Sequence, residues 1–442
     1  MANFSKSNVP QFSVDVYQNE FLPEGGREVN AIVTVTSTGG GTSGGTTPSG
    51  TGADAAVVIM VDCSGSMDYP PTKMRGARDA TAAAIDALRD GTSFAVVAGT
   101  HVANEVYPGN GRLAVAGPAT RGQAKDALRR LSAGGGTAIG TWLRLADRLL
   151  GSAEVSIRHG ILLTDGRNEH ESPEDLRAAL DACAGRFTCG ARGVGTDWEV
   201  KEVTGIASAL LGTADIVADP QGLAADFTAM MENAMGKEVA DVALRLWTPV
   251  GVEIAFVKQV APTVEELTSR RTEAGPRAGD YPTGSWGDES RDYHVCVRVP
   301  QAAIGQEMLA ARVSLIVPDP LGSAPKTLGQ GLVRAVWTDD MAMSTSINPQ
   351  VAHYTGQAEL AQVIQQGLDA RKIGDHDGAT AKLGRAVQLA AASGNADTAK
   401  LLSKVVDVVD AATGTVRLKA KVAEADEMTL ETRSTKTVRV KK

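Results

Sequence analysis

The sequence predicts an α/β protein in which a doubly wound parallel sheet is inserted in, or flanked by, a β-sandwich, with a helical bundle at the C-terminus. Three observations predict this fold class. Between about residues 56 and 235, short apolar runs alternate with helical segments, as in a parallel sheet. From about residue 237 the apolar period changes to two, which is typical of antiparallel strands. Residues 356–412 are rich in Ala, Leu, Gln and Lys, the composition of amphipathic helices.

Two strands are expected before the parallel sheet. Residues 12–16 alternate between apolar and polar, and residues 29–36 are largely β-branched. Because two isolated strands are not stable alone, we expect residues 1–36 to join the later β-sandwich. Residues 37–52 contain only Gly, Ser, Thr and Pro and are expected to form a flexible linker.

The middle region has the order of elements expected of a doubly wound sheet. The expected strands are 56–61, 93–98, 157–164, 188–195 and 214–218, and the expected helices are 75–89, 122–131, 139–150, 173–184, 198–211 and one that ends at 235. The predicted domains, in chain order, are 1–36 (strands of the sandwich), 37–52 (linker), 53–236 (parallel sheet), 237–345 (β-sandwich), 350–412 (helical bundle) and 413–442 (tail).

Three short segments, far apart in the sequence, predict one metal site. Asp62, Ser64 and Ser66 follow a buried strand, Thr137 follows three glycines, and Asp165 follows a second buried strand. Open α/β sheets bind ligands outside the carboxyl ends of their strands, so both aspartates are expected at the same place. Asp and Ser are also common in turns and at helix starts, but all three segments in this order favour a metal site.

The predicted ligands are two carboxylates and three hydroxyls, all of them oxygen donors. Oxygen ligands suit a hard divalent cation and argue against zinc or copper, whose sites usually include Cys or His. Mg²⁺ is therefore the expected ion, with Mn²⁺ or Ca²⁺ as alternatives. Because most of the donors are neutral, the bound ion remains a good Lewis acid with a position free for an outside carboxylate. Cys63 is expected to be a packed thiol rather than a ligand.

In these segments the sequence resembles the von Willebrand factor type A (VWA) domain with its metal-ion-dependent adhesion site. The resemblance covers somewhat under half of the chain and includes the complete five-residue motif. It implies a Rossmann-like fold, direct metal contact by Ser64, Ser66 and Thr137, and contact largely through water by Asp62 and Asp165. It also implies that an Asp or Glu of a partner protein fills the last coordination position. The chain is more similar to the intracellular bacterial, actinobacterial-like branch than to integrins, because no second acidic cluster follows the motif.

Composition argues against some partners and locations. The net charge of −8 and the pI near 5.4 disfavour nucleic acid or an anionic membrane as the main partner. The N-terminus lacks an apolar signal core, and no segment approaches the roughly 20 apolar residues of a membrane-spanning helix, so we expect a cytoplasmic protein. Four cysteines do not make a disulfide framework in a chain of this length. Cys183 and Cys189 are interpreted as buried thiols, although a disulfide between them is possible.

The last thirty residues carry many hydroxyl groups after the acidic segment 424–427. One interpretation is a frayed end with one edge strand. The other is phosphorylation at Thr432, Thr435 or Thr437, which would create an anionic motif for a phosphothreonine-binding protein. The segment is similar to the acidic acceptor segments of actinobacterial proteins that forkhead-associated domains recognise.

The sequence favours a non-enzymatic, Mg²⁺-dependent interaction module or scaffold in the cytoplasm, with signalling as its setting, that binds a partner carboxylate at the metal. An enzyme fits less well, because no positioned base accompanies the motif, no phosphate-binding loop is present and the six histidines are scattered. Two alternatives stay open: a structural subunit whose metal only stabilises loops, and a phospho-regulated adaptor that acts through its tail.

Overall fold

The computed structural model describes residues 10–38, 55–319 and 324–440. The chain divides into two compact units. One is formed by Met1–Gly41 together with Asp241–Lys442, and we call it the split unit. The other is formed by Thr42–Ala240, and we call it the inserted unit.

The split unit begins with three strands. They are β1 (Gln11–Gln18), β2 (Phe21–Leu22) and β3 (Glu28–Thr38). Alternate residues of β1 are exposed, as the period of two predicts, whereas most of β3 is buried. A central position in a sheet explains the burial of β3.

The inserted unit contains seven strands and six α-helices among the described residues, besides the short 3-10 helices Gly65–Asp68 and Pro220–Gly222. The strands are β4 (Ala55–Asp62), β5 (Ser93–Gly99), β6 (Ala103–Tyr107), β7 (Ala114–Val115), β8 (Ile157–Thr164), β9 (Thr188–Val194) and β10 (Ala214–Val217). The helices are α1 (Thr72–Asp86), α2 (Pro118–Leu128), α3 (Ile139–Gly151), α4 (Pro173–Cys183), α5 (Val200–Ala209) and α6 (Leu223–Met235).

The sheet of the inserted unit has the order β10-β9-β8-β4-β5-β6, with β7 also paired to β5. Five of its strands, β4, β5 and β8 to β10, are parallel, as predicted. β4 and β8 are neighbours at the centre of the sheet, and their residues are almost all buried. The carboxyl ends of these two strands therefore meet at one edge of the sheet.

One edge of this sheet differs from the expectation. β6 and β7 both pair antiparallel with β5 and were not predicted. β6 follows β5 after a turn of three residues, which is long enough for a hairpin but far too short for the crossover that a parallel strand needs.

The split unit continues with eight strands that complete a β-sandwich. They are β11 (Val239–Trp247), β12 (Glu253–Ala261), β13 (Glu265–Glu266), β14 (Thr272–Glu273), β15 (Ala278–Trp286), β16 (Glu289–Arg298), β17 (Glu307–Val317) and β18 (Lys326–Trp337). One sheet has the order β1-β3-β16-β12-β13 and the other β14-β15-β11-β17-β18-β2. β3 lies between β1 and β16, so the early strands lie in the same sheet as strands from the later part of the chain.

The two sheets of the sandwich approach closely where β18 carries glycine. A side chain at Gly331 would begin 2.5 Å from the Cγ2 atom of Val16, and one at Gly329 would begin 2.8 Å from that of Val14. These positions therefore admit no larger residue without separating the strands.

Helices follow the sandwich in the split unit. They are α7 (Met341–Ser344), α8 (Pro349–Lys372), α9 (His376–Ser393), α10 (Ala396–Val405) and α11 (Glu424–Arg433), and a hairpin of β19 (Val406–Asp410) and β20 (Thr415–Leu418) lies between the last two helices. Tyr354 and Val351 of α8 pack against Ile32, Val260 and Ala261 of the sandwich.

The predicted boundary between a helical bundle over 350–412 and a tail from 413 differs from the structure. Residues 406–418 form the hairpin, in which Gly414 supplies a left-handed φ of +70° at the turn. Helix α11 then buries Leu430 in the core of the helical region. Glu424, Asp426 and Glu427 occupy the first turn of α11, where negative charge is favourable, so they begin a helix rather than a frayed end.

Residues 435–440 lie along the sandwich. The backbone N–H of Val264 donates to the carbonyl of Thr435 at 2.8 Å, and that of Thr437 donates to the carbonyl of Pro262 at 3.0 Å. His353 Nε2 lies 2.8 Å from the carbonyl oxygen of Val438. Of the part of the chain that the structure describes, no helix is both long enough and apolar enough to span a membrane.

Candidate metal centre

Asp62 ends the central strand β4 and anchors the first loop of the centre. Its Oδ1 accepts a hydrogen bond from the backbone N–H of Ser64 at 2.8 Å, and its Oδ2 accepts one from Thr164 Oγ1 at 2.7 Å. The side chain is completely buried. Burial raises the pKa of Asp62, against the lowering effect of the hydrogen bonds from Ser64 and Thr164. Thr164 was not predicted, and it fixes the carboxylate from the neighbouring strand β8.

Two serines connect this loop to the end of β8. Ser64 Oγ and Ser66 Oγ lie 2.9 Å apart, and Ser66 Oγ donates to Asp165 Oδ1 at 2.6 Å. Asp62, Ser64 and Asp165 are buried, whereas Ser66 is exposed. The group of oxygens therefore opens to solvent at Ser66.

The loop that carries Thr137 is fastened to the first loop by its glycines. The backbone N–H of Gly65 donates to the carbonyl of Gly135 at 3.0 Å, and that of Gly134 donates to the carbonyl of Cys63 at 2.8 Å. Gly135 has a φ of +78°, which a residue with a β-carbon rarely adopts. Thr137 itself is buried.

Gly166 lies beneath two of the hydroxyls. A side chain at this position would begin 3.2 Å from Ser66 Oγ and 3.7 Å from Thr137 Oγ1. Both hydroxyls thus face the same small space beside Asp165, and that space exists because residue 166 has no β-carbon. The structure therefore brings all five predicted residues, Asp62, Ser64, Ser66, Thr137 and Asp165, to one place at the carboxyl ends of β4 and β8.

The loop after Asp165 holds the helix that follows Thr137. Asn168 Oδ1 accepts from the backbone N–H of Ile139 at 2.7 Å, and Glu171 Oε2 accepts from that of Gly140 at 2.8 Å. Both acceptors satisfy free N–H groups at the start of α3. Asn168 and Glu171 were missed because nothing in the sequence indicates that a loop after one strand caps a helix some thirty residues earlier.

Lys73 is the main residue of the centre that sequence reasoning missed. Its Nζ donates to Asp165 Oδ2 at 2.7 Å and to Asp197 Oδ2 at 3.0 Å. The Lys73 side chain is 7% exposed, and that of Asp197 is 69% exposed. Burial lowers the pKa of Lys73, but the hydrogen bonds to Asp165 and Asp197 outweigh burial and the net shift is upward. Lys73 is therefore an ammonium at neutral pH.

The donor set fits a hard cation. Its oxygens come from carboxylates and hydroxyls, and Cys63 contributes no thiolate because burial raises the pKa of its thiol to about 12. Within residues 10–38, 55–319 and 324–440, no cluster of three or more Cys, His, Asp or Glu side chains has the arrangement of a metal site. A cation here would depend on the hydroxyls, as the sequence predicts. Cys183 and Cys189 are free and buried, as expected.

The positions predicted for phosphorylation lie in ordered structure. Thr432 is buried in α11, and its Oγ1 donates to the carbonyl of Met428 at 2.7 Å. Thr437 Oγ1 donates to the carbonyl of Val260 at 2.7 Å, and Thr435 is half-buried. Phosphorylation of Thr432 would therefore require its side chain to leave the interior of the split unit, whereas Thr437, like Thr435, is half-buried.

Two family models match the chain. The model described as von Willebrand factor type A domain matches residues 55–216, and the one described as von Willebrand factor type A C-terminal domain matches residues 388–434. Among solved structures, the chain is similar to a von Willebrand factor type A protein from Catenulispora acidiphila. The two are 53% identical, the match covers 99% of each chain, and the TM-score is 0.92.

More distant structures share the fold. The ArnB paralogue VWA2 from Sulfolobus acidocaldarius is 14% identical over 96% of this chain and 98% of its own, with a TM-score of 0.61. The human COPII-coat protein Sec24c is 10% identical over 87% of this chain and 57% of its own, with a TM-score of 0.53. The curated proteins compared with the chain contain no significant match.

Proposed function

Since the chain belongs to the von Willebrand factor type A family, we propose that its inserted unit binds a divalent cation, in the first place Mg²⁺, and uses it to bind a carboxylate of a partner protein. One observation carries the proposal. The hydroxyls of Ser64, Ser66 and Thr137 and the carboxylate of Asp165 converge on one space that opens to solvent at Ser66.

The residues of the centre divide into donors and supports. Ser64, Ser66 and Thr137 present neutral oxygens, which leave the charge of a bound ion largely uncompensated. Asp62 and Asp165 supply the negative charge and orient the serines through the bonds described above. When bound, Mg²⁺ supplies a Lewis-acidic position for an oxygen anion from outside the chain.

The surface beside the centre indicates the character of the partner segment. Tyr69, whose backbone N–H donates to the carbonyl of Ser66, is 84% exposed. Val102 is 49% exposed and lies in the turn whose Thr100 carbonyl accepts from the backbone N–H of Ala138, next to Thr137. Exposed large apolar side chains beside a polar site are typical of protein interfaces. We therefore propose a partner segment in which one Asp or Glu is flanked by apolar residues.

We propose a binding role rather than a catalytic one. His170, the histidine in hydrogen-bonding contact with Thr137, accepts from the backbone N–H of Thr137 at Nδ1, at 3.2 Å, and so supports the loop. Lys73 is held by two carboxylates and is not positioned as a base. The four free cysteines suit a reducing compartment, which agrees with the proposed cytoplasmic location.

Affinity capture from the native lysate tests the proposal. The baits are the wild-type chain in Mg²⁺, the wild-type chain in chelator, and the Thr137→Ala and Thr141→Ala variants in Mg²⁺. Thr141 is a matched control because its Oγ1 donates to the carbonyl of Ala138 rather than facing the centre. We expect one protein to be retained by the wild type and by Thr141→Ala in Mg²⁺, and lost from the other two baits.

Equal capture by all four baits would contradict the proposal. It would leave the alternative in which a metal only stabilises the loops, since such an ion changes the melting temperature and not the capture.

A further inference from the structure

Lys73 places a positive charge inside a centre that is proposed to bind a cation. Its ammonium contacts Asp165 Oδ2, while the other oxygen of Asp165 accepts from Ser66. Both oxygens of this carboxylate are thus engaged by the chain's own groups. The Lys73 side chain is 7% exposed, so solvent screens its charge poorly.

The charges of the centre show what Lys73 changes. Asp62 and Asp165 carry the negative charges that attract a divalent cation, and both are buried. Lys73 offsets one of them. Asp197, the second partner of Lys73, is 69% exposed, and its charge is largely screened by water.

We propose that Lys73 weakens the affinity of the centre for the free cation and, by the same charge, favours the outside carboxylate that binds to the loaded centre. The inference rests on the proposed function. It names the residue whose charge sets the balance between the affinity for the cation and the affinity for the carboxylate.

The physical reason is that one fixed charge acts with opposite sign on the two ligands. A buried ammonium repels a divalent cation bound beside Asp165, and it attracts an anion bound at the same place. The electrostatic attraction of the whole centre for a carboxylate is then largest when the cation and Lys73 are both present.

Mn²⁺ titration of the full chain, followed by the paramagnetic resonance of the free ion, tests the inference. The variants are Lys73→Gln, which keeps a hydrogen-bond donor without the charge, and Lys73→Arg, which keeps the charge. Lys125→Met is the matched control, because Lys125 is a lysine with a 38% exposed side chain that pairs with Asp86 away from the centre. We expect Lys73→Gln to bind Mn²⁺ about tenfold more tightly than the wild type, and the other two variants to remain within about twofold. Unchanged or weaker Mn²⁺ binding by Lys73→Gln would overturn the inference.

Two further measurements separate this inference from the proposed function and from simple misfolding. We expect Asp62→Ala to abolish Mn²⁺ binding, which shows that the titration reports on the centre. If Mn²⁺ binding does not depend on Asp62, the inference and the proposed function are both overturned. Melting temperatures in chelator and in Mn²⁺ report on folding. We expect Lys73→Gln to melt lower than the wild type in chelator and to gain more from Mn²⁺, since tighter binding to the native state stabilises it more. A smaller gain than that of the wild type would overturn the inference.

Discussion

Each unit contains a buried aspartate that is held by a basic residue and by hydroxyls, and the two differ in what surrounds them. Asp165 of the inserted unit accepts from Lys73 and Ser66. Asp292 of the split unit accepts from Thr34 Oγ1 at 2.6 Å and from Tyr354 OH at 2.5 Å. Arg439 donates to both oxygens of Asp292, at 2.9 and 2.8 Å.

The two aspartates differ in the exposure and the location of the groups that donate to them. Ser66 beside Asp165 is exposed, contacts a second hydroxyl and lies in the short 3-10 helix Gly65–Asp68. At Asp292, by contrast, the donors come from a strand, from helix α8 and from the C-terminal segment, and together they hold these parts of the split unit in place. Similar chemical groups therefore make an open centre in one unit and a structural connection in the other, and solvent access decides between the two.

Replacing Asp292 has the largest expected effect on stability. Asp292→Ala leaves Arg439, Tyr354 and Thr34 without their shared acceptor, and we expect the free energy of unfolding of the split unit to fall by about 3 kcal/mol. Calorimetry, which distinguishes the transitions of two units, measures this change. Asp15→Ala, at an exposed position of β1, is the control. If the two variants melt alike, Asp292 is not a structural connection.

Lowering the pH tests whether the stability of both units depends on a buried histidine. Burial lowers the pKa of His159 in the inserted unit and of His294 in the split unit to about 4 in each case. Unfolded chains take up a proton at these residues near pH 6.5 and the native protein does not, so stability is highest above pH 6.5 and falls as the pH approaches 4. The loss approaches roughly 3 kcal/mol per histidine.

Melting curves from pH 7 to pH 4.5 check this prediction. His294→Gln removes the titrating group, and glutamine can still bond with Asn30, whose Oδ1 lies 2.9 Å from His294 Nε2. We expect the transition of the split unit to become less dependent on pH in this variant, while that of the inserted unit does not change. An unaltered pH dependence of the split unit would show that His294 is not the group responsible.

Removing one of the two hydroxyls that donate to Asp292 has a smaller expected effect on stability. Tyr354→Phe removes one hydrogen bond to a buried carboxylate that keeps its bonds to Thr34 and Arg439, and we expect a loss of about 2 kcal/mol. Urea denaturation measures it, with Tyr69→Phe at an exposed tyrosine as the control. A variant as stable as the wild type would contradict the structural role of this hydroxyl.

Removing a single hydroxyl at the open centre has the smallest expected effect on stability and the largest on cation binding. Ser66→Ala removes an exposed group, so in chelator we expect a change within about 0.5 kcal/mol. We also expect the same variant to lose the rise in melting temperature that the proposed Mg²⁺ site predicts for the wild type. Thermal scans with and without Mg²⁺ check both statements. A full rise in the variant would mean that Ser66 contributes no donor.

The five residues of the candidate metal centre could be predicted because the sequence immediately around each of them shows its position in the fold. Asp62 and Asp165 end buried strands, and the carboxyl ends of parallel strands meet at one edge. Lys73 could not be recognised in this way, because its partners Asp165 and Asp197 belong to loops about 90 and 120 residues away. The parallel strands of the central sheet could also be predicted, because their buried apolar runs are visible in the local sequence.

The errors at the C-terminus have one physical cause. The hydroxyl-rich sequence of residues 428–437 is typical of a solvated end, yet α11 buries Leu430 and Thr432 against other parts of the split unit. Burial of so short a segment is decided by distant residues, as is the pairing of Arg439 with Asp292. A local pattern carries no information on such contacts.

Calorimetric titration of the full chain with Mg²⁺ tests the central claim most directly, using the wild type, Thr137→Ala and Thr141→Ala. We expect saturable binding at one site in the wild type and in Thr141→Ala, and none in Thr137→Ala. Equal binding by Thr137→Ala, or no binding by the wild type at millimolar Mg²⁺, would contradict the assignment of a metal centre to Asp62, Ser64, Ser66, Thr137 and Asp165.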